Sequence, residues 1–452
     1  MRQAMPAGKV ALAALSLLLA LLIWGKGLQD SFSRPSVVPK LSVRQQEISW
    51  LATPEIPDTL KPLFIGESSE NKLRDALREI PLSQMEDRER VVLGALETTD
   101  EKRRFTLKKP VQDDALGMIQ KALLASTGKS KTEPSDLNAL KSIQNDPLLY
   151  QVVCLALGGS KEICVDSAVS KRMAFRLTFS QGVPVIAILL GSGLLIRQVW
   201  LFIRNAKPAW PPLVSLPLSL VDMVLLVAGG FVVLGEVLFP AFVAPFTEAL
   251  TRNISSPLRE SLRVFVGYSV MTLPPLLILR QQLNGLNLVA PPPDGGWLQW
   301  RLRPFGQALS QASVGWLMVM PLVLLTSWLM NSLVGDQGGS NPLLDLVLRS
   351  QETLSLILLL VTTVVFAPLF EELVFRGALL PVLAQAYGRG LGVIVSALVF
   401  ALAHLSVGEF PPLVVLGLGL AFVRLSSGRL FPCVLMHSLW NGVTFINLVL
   451  LG

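Results

Sequence analysis

The sequence predicts an all-α membrane protein: a polytopic membrane helix bundle of about eight helices, preceded by an N-terminal signal anchor and a small, mostly helical extramembrane domain. Hydrophobic residues make up 51% of the 452 residues and charged residues only 16%, whereas soluble domains carry about 25% charged residues. Nine apolar runs are candidates for membrane helices, which need about 20 mostly apolar residues. This composition excludes a wholly soluble enzyme and a disordered chain.

The first apolar run, Val10–Trp24, follows the basic residues Arg2 and Lys9. A basic start before a short apolar stretch is typical of a signal peptide or a signal anchor. No convincing small-residue cleavage site follows this run. We therefore predict that residues 1–24 form a signal anchor or first transmembrane helix.

A long polar stretch separates this run from the rest of the chain. Residues 25–177 carry most of the Lys, Glu and Asp, and the segments Glu70–Ile80 and Gln112–Leu124 show the apolar spacing of helices. We expect a small extramembrane domain here, without a catalytic constellation. Cys154 and Cys164 would pair if this side of the membrane is oxidising, or else would remain two thiols in a helix pair.

Residues 178–452 are predicted to form a multi-pass membrane domain, whose last part, 353–451, contains the motifs described below. This part contains eight further apolar runs, two of which are short for a membrane span. The runs are Val183–Ile203, Leu218–Pro245, Leu262–Leu279, Ala308–Met330, Thr353–Phe370, Leu391–Leu405, Pro412–Leu425 and Leu430–Leu451.

The basic residues near the spans indicate the orientation, because cytoplasmic loops carry an excess of Lys and Arg. With the N-terminus in the cytoplasm, the cytoplasmic loops hold Arg204, Lys207, Arg280, Arg301, Arg303, Arg376, Arg389, Arg424 and Arg429. The opposite side holds Arg252, Arg259 and Arg349. We expect the N-terminus and the loops of the motifs described below on the cytoplasmic side and residues 25–177 on the other. These loops also explain the net charge of +7, so no nucleic-acid partner is inferred.

The final apolar runs contain polar side chains, which distinguishes them from most of the earlier ones. A charge inside the membrane costs about 2.5–3.5 kcal/mol on insertion scales and usually serves a function. Both histidines of the chain lie in these runs, together with an adjacent pair of glutamates. Glu372 and Arg376 are four residues apart, so their side chains can pair on a helix. Glu371 is then left free for other work.

Glycines at Tyr387-Gly388-Arg389-Gly390 permit a turn between two of these helices. A reversal there would bring Glu371 and His404 to nearly the same depth in an antiparallel hairpin. Pro381 weakens this prediction, because a proline can end the first helix early. His437 and Asn441 are four residues apart and share one face of the last helix.

Side chains of these types indicate peptide hydrolysis, by either of two routes. A Glu beside a His can deprotonate a water that attacks a carbonyl, while a second His and an Asn donate hydrogen bonds to the oxyanion. Alternatively, Glu371, His404 and His437 are the ligand set of a catalytic zinc, with the other Glu as the base. The helical signature of soluble zinc proteases is absent. The residues themselves do not decide between the two routes.

Three motifs occur in order on these apolar segments: Glu371-Glu372-x-x-x-Arg376, Phe400-x-x-x-His404 and His437-x-x-x-Asn441. Together they resemble the CPBP family of intramembrane metalloproteases, which includes the type II CAAX prenyl endopeptidases and bacteriocin-immunity relatives. Every anchor residue of the family pattern matches. The resemblance covers roughly Thr353 to Leu451, and the ordered trio is more specific than any single motif.

The resemblance implies an intramembrane endopeptidase that acts on a membrane-associated protein or peptide. Glu371 would be the general base that activates water with His404. Arg376 would orient Glu372, or Glu372 would share the base role. His437 and Asn441 would stabilise the oxyanion. A divalent metal such as zinc would be bound by Glu371, His404 and His437 only if the chain is a metalloenzyme. The polar insert near the N-terminus lies outside the family core, so a prenylated substrate does not follow from the resemblance.

Two other functions remain open from the sequence. A non-catalytic membrane scaffold or bacteriocin-immunity-type binding protein would keep the polar set for structure or binding. A secondary transporter would use the Glu and His side chains as a proton relay. That function would lead us to expect inverted repeats with broken helices in both halves, whereas the acidic and His positions occur in only one half.

Overall fold

The computed structural model describes residues 6–66, 68–82, 85–126, 140–206, 209–335 and 338–452. The membrane unit contains the chain up to Ser36 together with Ile186–Leu450, and the polar unit contains Val37–Val185. The first helix runs past residue 25 to Ser31, and a helix that begins at Ser167 runs past residue 177 to Ile203. Lys207, predicted in a cytoplasmic loop, lies outside the described residues.

Within the described ranges, nine apolar helices overlap the nine predicted runs. They are α1 (Ala7–Ser31), α2 (Ser167–Ile203), α3 (Leu220–Leu234), α4 (Leu258–Asn287), α5 (Phe305–Val334), α6 (Thr353–Tyr387), α7 (Arg389–Leu402), α8 (Phe410–Ser427) and α9 (Phe431–Leu451). Seven are long and apolar enough to cross a membrane, whereas α3 and α7 are shorter. The prediction of a polytopic all-α bundle is confirmed.

Shorter helices connect some of these elements. After α3 the chain continues through Gly235–Leu238, a π segment at Phe239–Val243 and Ala244–Thr251. Another short helix, Pro342–Arg349, precedes α6. α1, which was predicted as an anchor ahead of the bundle, belongs to the membrane unit itself.

α6 remains helical for 35 residues although it contains Pro368 and Pro381, so the early end at Pro381 does not occur. Two π segments, Val361–Phe366 and Leu373–Leu379, precede the prolines. A proline ring clashes with the carbonyl four residues earlier in an α-helix. Here that carbonyl lies in a π segment, whose i→i+5 hydrogen bonds widen the turn and relieve the clash.

The predicted reversal between α6 and α7 is confirmed. α6 ends at Tyr387, Gly388 has φ +86°, and α7 begins at Arg389. The two helices approach closely, since a Cβ added to Gly392 would lie 2.8 Å from the backbone nitrogen of Ala384. The hairpin therefore depends on glycine both at the turn and at the first helix contact.

Two arginines that were predicted in cytoplasmic loops lie inside the membrane unit instead. Arg376, in α6, is 0% exposed, and Arg424, in α8, is 1% exposed. Each guanidinium group donates hydrogen bonds to groups within the bundle, described below. The orientation therefore rests on fewer basic residues than the sequence suggested.

The polar unit is helical. Among its described residues the helices are Val38–Ala52, Lys61–Phe64, Ser69–Arg78, Asp87–Leu96, Asp100–Thr106, Asp114–Ala125, Pro147–Ala156 and Lys161–Cys164, with a 3-10 turn at Lys141–Ile143. The two helical segments predicted from apolar spacing correspond to the third and sixth of these. Leu73, Leu77 and Ile119 lie fully buried in its aliphatic core. Cys154 and Cys164 form a disulfide.

Local sequence signals explain where helices of the polar unit begin. Ser68, Asp113 and Asp146 each accept a hydrogen bond from the backbone N–H three residues later. Such N-caps contribute about 1 kcal/mol each to stability. Asp146 is also part of an ion-pair network, because Arg88 bonds to both Asp146 and Glu47.

Candidate active site

The centre of the candidate site is a buried set of charged side chains that joins α6 to α9. Arg376 Nη1 donates a hydrogen bond to Glu372 Oε1 at 2.8 Å, and His437 Nδ1 lies 2.9 Å from the same oxygen. Arg376 Nη2 also donates to Gly417 O of α8 at 3.0 Å. Glu372 is 0% exposed, and a charge so deeply buried requires a partner of this kind. The predicted pair of Glu372 and Arg376 is therefore present.

Glu371 lies next to this set and has a different environment. Tyr268 Oη of α4 donates a hydrogen bond to Glu371 Oε1 at 3.1 Å, and His437 Nε2 lies 3.9 Å from Glu371 Oε2. The Glu371 side chain is 15% exposed. Its Oε2 accepts no hydrogen bond from any residue in the described part of the chain. One carboxylate oxygen is thus held by Tyr268, and the other is buried without a hydrogen-bond partner among the described residues.

His437 lies between the two glutamates. An ionised carboxylate only accepts hydrogen bonds, so Nδ1 donates to Glu372 Oε1. The other ring nitrogen, Nε2, faces Glu371 Oε2. A histidine that a carboxylate orients in this way can use its other nitrogen for proton transfer.

His404 lies just past the end of α7, which ends at Leu402. Its Nδ1 donates to Phe400 O at 2.9 Å, because a carbonyl oxygen can only accept. The Phe400 ring contacts both histidines: its centroid is 4.9 Å from that of His404 and 5.7 Å from that of His437. The Arg376 guanidinium lies 4.3 Å from the same centroid. Phe400 thus links the three motifs, although among the described residues no hydrogen bond joins His404 to Glu371.

Asn441 is positioned by a carbonyl that a proline leaves free. Its Nδ2 donates to Thr363 O at 2.8 Å. Thr363 lies in the first π segment of α6, where the N–H of Ala367 donates to Thr362 O. In this register the next N–H along the chain would bond to Thr363 O, but residue 368 is proline and has no N–H. One N–H of the Asn441 amide takes that place, and the second N–H is left for another acceptor.

The same arrangement occurs at the second π segment. The N–H of Leu380 donates to Phe375 O, so Pro381 leaves Arg376 O without the backbone donor of this register. Arg424 Nε of α8 donates to Arg376 O at 3.3 Å. The two prolines of α6 therefore free two carbonyls, and side chains of α9 and α8 bond to them.

Comparison with known families agrees with this geometry. Residues 353–443 match the family model described as Type II CAAX prenyl endopeptidase Rce1-like. Over this segment the chain is similar to the type II CAAX prenyl endopeptidase Rce1-like family. The matched range includes all three motifs, so the resemblance inferred from them is confirmed. The description of this family names an endopeptidase.

The Rce1-like domain covers only the last four helices of the membrane unit. Residues 38–175, most of the polar unit, match a separate model, Domain of unknown function (DUF8675). No curated protein and no solved structure matches the chain. The substrate and the site residues therefore have to be inferred from the chain itself.

The residues predicted to bind zinc do not form a complete ligand set in the Rce1-like domain. A catalytic zinc needs three protein ligands at about 2.0–2.2 Å. Glu371 and His437 lie close together, but no group of three His, Cys, Asp or Glu side chains among the described residues could hold a metal ion. This donor set does not fit a three-ligand zinc site, and the metal stays a prediction from the resemblance.

Two residues of this buried polar set, Tyr268 and Arg424, were not predicted from the sequence to belong to the site. Tyr268 lies in an apolar run of α4, outside the Rce1-like match, and its hydroxyl was the only signal available. Arg424 lies near the end of the run that became α8, and was interpreted as a loop residue. Both roles depend on contacts between helices that are distant in the sequence.

Proposed function

We propose that the chain is an intramembrane endopeptidase that hydrolyses a peptide bond in a membrane-associated protein or peptide. The environment of Glu371 is the observation that supports this best. Tyr268 holds one oxygen of its carboxylate, the other oxygen is free to accept a proton, and His437 lies beside it. Ionisable groups inside a membrane bundle generally mark functional sites.

In the proposed reaction, a water lies between Glu371 Oε2 and His437 Nε2, which are 3.9 Å apart. Because these two atoms are too far apart for a direct hydrogen bond, the proposal assigns a bridging water to them. Both atoms accept hydrogen bonds, so the water donates both protons to them and turns a lone pair to the substrate carbonyl. Glu371 takes one proton while the hydroxide adds to the carbonyl carbon. That proton passes to the amide nitrogen as the C–N bond breaks, which releases a carboxylic acid and an amine.

The other residues have supporting roles in this proposal. Glu372 fixes the tautomer of His437, and Arg376 compensates the charge of Glu372. The second N–H of Asn441 is assigned to the oxyanion, where one donor contributes about 2.7–4 kcal/mol. This assignment makes His437 the partner of Glu371, whereas the sequence suggested His404.

His404 stays a predicted catalytic residue. Its Nδ1 is engaged by Phe400 O, so Nε2 is the nitrogen that it can offer to water or substrate. Because His404 lies in a turn after α7 and not on a helix, the position of its side chain depends on the loop that follows.

We also propose that the N-terminus and the catalytic motif loops are cytoplasmic and that residues 25–177 lie on the opposite side. Basic loop residues other than Arg376 and Arg424 favour this orientation. The disulfide between Cys154 and Cys164 supports it as well, because disulfides persist in oxidising compartments. Proteolysis of sealed vesicles of known orientation tests it: protease added to the non-cytoplasmic face should degrade the polar unit, and protection there would contradict the orientation.

The proposed activity is tested with the purified chain in lipid nanodiscs. The probes are a quenched fluorescent peptide with a farnesylated cysteine, since the matched family is named for prenyl endopeptidases, and the same peptide without the lipid. Wild type should cleave at least one probe, and Glu371→Gln should lower turnover about 100- to 10,000-fold, the usual contribution of a general base. Glu352→Gln alters an exposed glutamate at the start of the same helix and should keep wild-type turnover.

The outcomes separate the rival functions. Equal turnover by wild type and Glu371→Gln would contradict the proposed mechanism. Binding of a probe without turnover, unchanged in Glu371→Gln, would favour the non-catalytic scaffold. Turnover that is lost on chelation and restored by zinc would show that a third ligand joins Glu371 and His437.

A further inference from the structure

The residue that follows His404 has a backbone conformation that needs outside support. Leu405 has φ +50°, a left-handed conformation that is unfavourable for a leucine. Such a conformation persists only where the surrounding contacts enforce it. Since His404 is adjacent to Leu405, whatever enforces this turn also determines where the imidazole lies.

The end of α1 supplies these contacts. Arg34 Nη2 donates a hydrogen bond to Leu405 O, and the N–H of Val407 donates to Ser31 Oγ at 3.1 Å. The Leu405 side chain packs against Gly27, where an added Cβ would lie 2.8 Å from Leu405 Cδ1. The carbonyl and the side chain of the strained residue are thus both held by the N-terminal segment.

A second segment, between α5 and α6, completes the network. The N–H of Gly339 donates to Arg34 O at 2.9 Å, and Ser406 Oγ donates to Gly339 O at 2.8 Å. The N–H of Asn341 donates to Glu409 Oε1 at 3.2 Å. Three segments that are far apart in the sequence therefore meet around the loop that carries His404.

α1 is also fixed to the bundle away from this loop. Lys9 Nζ lies 2.5 Å from Asp222 Oδ1 of α3. Further along α1, Ser16 packs on Gly229, where an added Cβ would lie 3.2 Å from Ser16 Oγ. These contacts attach the first half of α1 to α3.

We infer that α1 is a structural component of the active site, with Arg34 and Ser31 as positioning residues for His404. The inference rests on the proposed function, in which His404 acts on water or substrate. α1 lies outside the Rce1-like match at residues 353–443, so the family motifs alone do not contain this support. The positioning role of α1 also requires that the first apolar run remains in the folded protein as an anchor.

The small number of histidines allows a direct test on the full chain in nanodiscs. The chain contains only two, so labelling with 15N-histidine yields two sets of imidazole NMR signals, which His404→Gln assigns. Arg34→Ala should shift or broaden the His404 signals and leave those of His437 unchanged. With the farnesylated peptide, the same variant should lower kcat about 10- to 100-fold, as expected when a catalytic group is displaced by about 1 Å, while KM changes little.

Two variants control for charge and for folding. Arg34→Lys keeps a donor for Leu405 O and should restore most of the kcat and the His404 signals. Lys26→Ala removes an exposed charge, which pairs with Asp30, from the same end of α1 and should match wild type. If Arg34→Ala does not fold, Ser31→Ala removes a single hydrogen bond and allows the same comparison.

The results distinguish this inference from the proposed function. Unchanged His404 signals in folded Arg34→Ala or Ser31→Ala would overturn the positioning role, even if wild type is an active peptidase. Altered His404 signals together with a chain in which His404→Gln has wild-type turnover would support the contact with α1 and refute the catalytic role of His404.

Discussion

Glutamine at Glu372 should destabilise the protein, because this residue holds two buried partners. Glu372 is 0% exposed and bonds to both Arg376 and His437. Removing one charge of a buried pair leaves the other uncompensated, at a cost of about 3–5 kcal/mol. Glutamine retains one acceptor oxygen, so the free energy of unfolding of Glu372→Gln should fall by about 3 kcal/mol, the lower end of that range.

Glutamine at the neighbouring Glu371 should instead leave the stability nearly unchanged and lower the turnover. Glu371 is partly exposed, and glutamine can still accept the hydrogen bond from Tyr268. The free energy of unfolding of Glu371→Gln should therefore stay within about 1 kcal/mol of wild type. Turnover should nevertheless fall about 100- to 10,000-fold, because an amide cannot take the proton from water.

Unfolding titrations with SDS in mixed micelles measure the stabilities, and the peptide assay measures turnover. The double variant Glu372→Gln/Arg376→Met is the control: it removes both charges and should recover part of the lost stability, since replacing a buried ion pair by apolar groups is often neutral. Equal stability of the two single glutamine variants would refute the reasoning.

Tyr268→Phe removes the hydroxyl that donates to Glu371, and a hydrogen bond to a charged group contributes about 1.5–3 kcal/mol. The value of kcat/KM in the peptide assay should therefore fall about 10- to 100-fold. An unchanged kcat/KM would exclude a role for Tyr268 in positioning Glu371. Pro368→Ala supplies an N–H that competes for Thr363 O, and kcat should fall about tenfold without loss of stability in the SDS titration. Burial raises the pKa of Asp146, but the hydrogen bond and charge of Arg88 outweigh burial and hold that pKa below its usual range. The stability that this pair provides is therefore present above the unfolded pKa of about 3.9 and is lost as pH falls through the lower folded pKa. At neutral pH, Asp146→Asn should cost about 2 kcal/mol and reduce this acid dependence, as measured by hydrogen exchange in the polar unit.

The bundle could be predicted from the sequence because its signals are local. Apolar runs of sufficient length gave the helices, and glycines at Gly388 and Gly390 gave the reversal between α6 and α7. Arg424 was placed in a loop because an arginine near the end of an apolar run commonly extends to the membrane surface. Its burial depends on a carbonyl that Pro381 frees on another helix, and single-sequence patterns do not reveal such a partner.

The composition of the candidate site was predictable, but its pairings were only partly so. The spacing of four residues gave the bond between Glu372 and Arg376 directly. The predicted hairpin would place His404 near Glu371 if α7 were helical through His404. In the structure the helix ends at Leu402, and His437 is the histidine closest to Glu371 by its contacts. The depth of α9 relative to α6 depends on tertiary packing, which the sequence does not encode locally.

The central claim is that Glu371 activates water for peptide hydrolysis within the membrane unit. The most direct measurement compares the termini of membrane proteins and peptides in cells that carry wild type or Glu371→Gln, grown in H2(18)O. We predict at least one substrate whose shortened product has an 18O-labelled carboxyl terminus with wild type and which accumulates uncut with Glu371→Gln. Identical sets of termini in the two strains, with both proteins folded at equal levels, would contradict the claim.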